Sequence, residues 1–140
     1  MLNVETTPHG DSELMTTTTR RPVHLNLFKI RLPIGGIMSI IHRATGVFMF
    51  LALPVLIYLL TLSLSSPAGY AQAAESLHGL FGVVFVFLVM YSLSHHLLAG
   101  IRYLLIDVDL GVEKALARQS ALAVVVAGPI LGLILTGGVL

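Results

Sequence analysis

The chain has 140 residues and not one cysteine. That excludes disulfides, iron–sulfur ligation, thiolate zinc sites, covalent c-type haem attachment and a cysteine nucleophile. Any redox group held here must be held by histidine, methionine or weaker contacts. Charge is also scarce: 11% of residues are charged against 56% hydrophobic. The mean hydropathy is +0.92, and a soluble domain this small needs more polar surface than that. The length allows one domain, too small for a large catalytic core of its own. A formal net charge of +1 gives no reason to expect a nucleic acid partner.

The few charges are informative through their placement. None occurs between Arg43 and Glu75, none between Glu75 and Arg102, and none after Arg118. Each gap exceeds the ~20 residues that cross ~30 Å of hydrocarbon at ~1.5 Å per residue. The sequence therefore predicts an all-α membrane protein with three transmembrane helices, over about 37–64, 76–106 and 117–139. Ser65-Ser66-Pro67-Ala68-Gly69 reads as the turn between the first two, and residues 107–111 end the second. Residues 1–19 are polar, with a run of four threonines and no apolar period, and read as a flexible tail. This tail lacks the apolar stretch of a signal peptide and is expected to be retained. Residues 20–140 then form the membrane domain, opening on a basic interfacial stretch. All eight Lys and Arg lie up to Arg43 or from Arg102 to Arg118. This places the N-terminus and the second loop in the cytoplasm and the C-terminus in the periplasm. Gly128 and Gly132 have the spacing of closely packed membrane helices, and Pro129 permits a kink.

Ionisable groups inside membrane helices are costly and normally have a partner. On the first helix, Ser39 and Arg43 share a face and His42 is adjacent to it. A hydroxyl, a guanidinium and an imidazole suit a ligand with a polar head and an apolar tail, such as a quinone. Arg43 would stabilise the negative charge that reduction places on its oxygens. Snorkelling of Arg43 to phospholipid headgroups is the other reading. On the second helix, His96 precedes Asp107 by eleven residues, so it lies roughly 16 Å from the cytoplasmic end. Its acceptor nitrogen suits a haem iron and its N–H a nearby carbonyl. Gly100 and Tyr103 continue its face, and Gly100 leaves room for a flat macrocycle or a facing helix. Arg102 is a possible partner for a haem propionate. His95 points ~100° away and shares a face with Arg102. Alternatively, these histidines only hydrogen-bond a neighbouring helix. His78 near the other membrane face reads as interfacial, and His9 and His24 as surface residues.

Three motifs resemble the large cytochrome b anchor subunit of succinate dehydrogenase, of the proteobacterial type. They are Arg21-Pro22-Val23-His24-Leu25-Asn26-Leu27, then Ser39-Ile40-Ile41-His42-Arg43-Ala44-Thr45-Gly46, then His96-Leu97-Leu98-Ala99-Gly100-Ile101-Arg102 followed by Asp107. The second is similar to the family's Ser-x-x-His-Arg-x-(Ser/Thr)-Gly. The third is similar to its His-x-x-x-Gly-Ile-Arg-His-x-x-x-Asp, with Tyr103 where the family has histidine. The resemblance implies haem b as cofactor, with His96 as axial ligand to the iron from this chain. A small membrane-anchor subunit would supply the second ligand. His42, Arg43, Arg102 and Tyr103 would contact the propionates, and Ser39 and Arg43 would line a ubiquinone site. It also implies partners: that small anchor, an iron–sulfur subunit and a flavoprotein subunit, assembled on the bacterial inner (cytoplasmic) membrane. The chain itself would perform no succinate chemistry. The anchor of a fumarate reductase and a small non-redox membrane protein are the alternatives.

Overall fold

A computed structural model describes residues 32–140. The tail at 1–19 and the motif at Arg21–Leu27 lie outside the described residues. The described part is helical throughout, with α1 at Ile34–Ser65, α2 at Pro67–His78, α3 at Leu80–Asp107 and α4 at Lys114–Val139. Three of these, α1, α3 and α4, are long and apolar enough to cross a membrane, which is the expected fold class. The chain is a multi-pass membrane protein.

The short α2 departs from the sequence reading. The stretch taken as a turn, and the first residues assigned to the second span, form a separate 12-residue helix. Twelve residues rise ~18 Å, too little to span the bilayer. Its start has a local cause. The Ser66 side chain accepts a hydrogen bond from Gly69 N–H at 3.0 Å, and Pro67 occupies the first helical position, where its missing N–H costs nothing. At Gly79 the backbone turns extended, with ψ 160°, and α3 begins. A Cβ at Gly82 would collide with the carbonyl of Ser76 and lie 2.6 Å from Leu77 Cα, so only glycine lets α3 start so close to α2.

Packing of the spans follows small residues. The three run antiparallel in sequence order. Leu32–Gly35 at the head of α1 share a groove with Arg102 on α3 and with Lys114 and Arg118 on α4. The tail of α1, α2 and Val139–Leu140 line another at the far end. α4 lies against α3 through Gly128 and Gly132. A Cβ at Gly132 would fall 2.6 Å from Tyr91 Cα, and one at Gly128 would fall 2.9 Å from His95 Nδ1. The Gly-xxx-Gly spacing thus serves close helix packing. Met38, Ala99, Ala121 and Val124 form the buried apolar cluster joining α1, α3 and α4 at the basic end. Two buried hydroxyls bond within their own helices, as suits a bilayer: Ser94 donates to Met90 O at 2.7 Å and Thr136 to Gly132 O at 2.7 Å. The loop from α3 to α4 turns on two left-handed residues, Asp109 at φ 60° and Gly111 at φ 77°.

Candidate functional site: a histidine pair between α1 and α3

The motif residues of α1 and α3 meet. His42 and His96 stack, with ring centroids 4.0 Å apart and planes 18° from parallel. The Tyr103 ring lies 5.3 Å from that of His42. His96 reaches across to α1, where its Nδ1 is 3.1 Å from the carbonyl oxygen of His42. A carbonyl only accepts, so Nδ1 carries the proton and donates it. The Nε2 lone pair is left over. That nitrogen is bonded to none of the described residues and is not among the enclosed unpartnered atoms. Gly46, one turn beyond His42, makes the approach possible: a Cβ there would stand 3.0 Å from His96 Cε1. One turn further along α3, a Cβ at Gly100 would meet nothing within 4 Å. An open floor therefore lies beside His96.

This arrangement fits a porphyrin iron. Histidines that bind metals usually donate their second ring N–H to a carbonyl or carboxylate, which fixes the tautomer and the ring plane. His96 has that bond on one nitrogen and a free lone pair on the other. The Nε2 atom of His42 is buried without a hydrogen-bond partner among the described residues. Leaving such a group unpaired costs about 1–3 kcal/mol, a cost that a bound carboxylate would remove.

The remaining candidates are spread around this pair. Ser39 is half-buried and Arg43 exposed, one turn apart on α1. Arg102 is turned toward α4, as the helical geometry of its face requires. Its Nε donates to Ser120 Oγ at 2.9 Å and its Nη2 to Ala117 O at 2.9 Å. Its Cζ lies 5.9 Å from the Tyr103 ring centroid. Two of its three nitrogens therefore hold the start of α4 rather than face an open site. His95 points away from His96 and is fully buried against Gly128, with neither ring nitrogen hydrogen-bonded among the described residues. His78 is exposed at the end of α2. Sequence reasoning missed the His42 carbonyl and Gly46 as the parts that seat His96. The conspicuous hint was the His-Arg-x-Thr-Gly run itself, whose last two residues had no assigned task.

Comparison with known proteins gives the family. Residues 17–135 match the family described as succinate dehydrogenase/fumarate reductase transmembrane subunit. The succinate dehydrogenase cytochrome b556 subunit of Paracoccus denitrificans is 30% identical over 114 residues, covering 81% of this chain and 88% of the relative. Its counterpart in Coxiella burnetii is 33% identical over 108 residues, covering 76% and 86%. That of Rickettsia conorii is 33% identical over 120 residues, covering 83% and 90%. With a match spanning most of its length, three apolar spans and the motif histidines in contact, the chain belongs to the transmembrane subunits of the succinate dehydrogenase/fumarate reductase family.

Proposed function

We propose that the chain is the large membrane anchor of a bacterial succinate dehydrogenase, holding haem b together with a small anchor subunit and forming part of the ubiquinone-reduction site. The observation that carries this reading is the bond from His96 Nδ1 to the His42 carbonyl, which leaves Nε2 available on an open face. His96 would hold the haem iron from this chain, with a second ligand from the small anchor. His42 and Tyr103 face the propionates together with Arg43, and Arg102 reaches them only through its remaining nitrogen. When bound, the haem supplies a one-electron carrier inside the bilayer. Ser39 donates a hydrogen bond to a quinone carbonyl, and the Arg43 guanidinium stabilises the charge that builds on quinone oxygen as it is reduced. An iron–sulfur subunit delivers the electrons and a flavoprotein oxidises succinate. Both dock on the cytoplasmic side of the inner membrane, where the Lys and Arg residues lie. The relatives' names, all succinate dehydrogenase, favour this over a fumarate reductase anchor.

The test is the absorption spectrum and subunit content of the purified complex. A b-type Soret and α band, with flavoprotein and iron–sulfur partners, is expected. His96→Ala should strip most of the haem while the subunits still insert. Full haem content in that variant would remove His96 as ligand, and a colourless wild-type complex would remove the whole reading.

A further inference from the structure

Thr45, beside Gly46 in the α1 motif, is not used by the site as described so far. Thr45 is buried and its hydroxyl donates to the His42 carbonyl at 2.9 Å. This is the same oxygen that accepts from His96 Nδ1 at 3.1 Å. The Thr45 oxygen is also 3.5 Å from that Nδ1, at the limit where a hydrogen bond ceases to count. One oxygen with two lone pairs, already an acceptor within the helix, thus serves two further donors from two helices.

We propose that Thr45 is a positioning residue that tunes the electron-donating strength of His96 by competing with it for the His42 carbonyl. This rests on His96 being the haem ligand. The physical chain is short. A hydrogen bond at Nδ1–H pushes density through the ring to Nε2 and makes the imidazole a stronger base toward a metal. A second donor on the same carbonyl draws density from the oxygen and weakens that bond. The hydroxyl has two opposite effects: a competing donation at 2.9 Å and a marginal acceptance at 3.5 Å. The shorter contact dominates, because hydrogen-bond strength falls steeply with distance. The net effect of Thr45 is to hold His96 below its full donor strength. Gly46 contributes by geometry alone. It leaves just enough room, 3.0 Å from a built Cβ to Cε1, for the ring to reach the carbonyl.

The sign of the prediction follows. Removing the hydroxyl while keeping its volume, in Thr45→Val, strengthens the His96 bond, stabilises ferric over ferrous haem and shifts the midpoint potential downward. Thr45→Ser keeps the hydroxyl and keeps the wild-type potential. A role in packing alone gives the reverse ranking, with valine neutral and serine, which leaves a methyl-sized void, perturbed. The experiment is a redox titration of haem in the whole purified complex for wild type, Thr45→Val, Thr45→Ala and Thr45→Ser, each after its haem content is measured. A downward shift in the valine or alanine variant with serine unshifted is the expected result. An unshifted potential in both hydroxyl-free variants, an upward shift, or loss of haem from both would overturn the proposal. If the wild type and these variants hold haem but His96→Ala also retains it, the ligand assignment fails instead, so the two ideas fail separately.

Discussion

A single residue, Arg43, distinguishes the quinone reading from plain membrane anchoring. It is an exposed guanidinium one turn from Ser39 on a helix otherwise bare of charge until its end. If it only met phospholipid headgroups, its loss would leave electron delivery to quinone intact. If it stabilises charge on quinone oxygen, its loss removes a charge-assisted hydrogen bond worth ~1.5–3 kcal/mol, or about one to two powers of ten in rate. Arg43→Ala is therefore expected to lower succinate:quinone reductase activity roughly ten- to a hundredfold. Succinate oxidation by an artificial acceptor that draws electrons from the soluble subunits should stay near wild type. Parallel losses in the two assays would remove Arg43 from the quinone site. At this scale the sequence was only partly legible. The types and faces of Ser39, His42, Arg43 and His96 followed from helical periodicity. The seat of His96 did not, because its partner is a backbone oxygen on another helix, fixed only by how α1 and α3 cross.

Among the elements, the α3–α4 contact depends on two glycines and the α1–α2 corner on one cap. Gly132→Leu would push a side chain into the Tyr91 backbone, whereas a Cβ at Gly137 on the same helix meets nothing within 4 Å. Overpacking a tight contact costs about 1–3 kcal/mol or more. Gly132→Leu should therefore lower the Tm of the detergent-solubilised complex by several degrees, and Gly137→Leu should leave it unchanged. Equal behaviour of the two would mean that α4 does not lie on α3 as described. The spans themselves were legible, because charge is excluded from hydrocarbon and its gaps outline them. Their ends were not. Ser66-Pro67 is as good a helix opening as it is a turn, and the turn reading hid α2. The hydrogen bonds that tie Arg102 to α4 were also hidden. Its helical face pointed toward Ser120, but nothing in the chain announced that α4 would return to that side.

For the molecule as a whole, the cations define a direction. Among the described residues, Arg43, Arg102, Lys114 and Arg118 all belong to the end where α1 and α4 begin and α3 finishes, while α2 with Glu75 is at the other end. The absence of native cysteine makes this easy to test. In Ser76→Cys the thiol should react with a membrane-impermeant maleimide added to spheroplasts. In Val112→Cys it should react only once the membrane is broken. The opposite pattern would invert the topology proposed from the Lys and Arg placement. The covering of α1 raises a different issue. The apolar length of this helix is far less enclosed by its own chain than that of α3 or α4. In water such a surface would force association, but lipid tails satisfy leucine as well as another helix does. Grease therefore gives α1 no urge to find a mate. On the proposed reading the pull toward one comes from polar points such as the spare nitrogen of His96, so a lone copy would rest in the bilayer intact but pale, recruiting at points instead of along a seam.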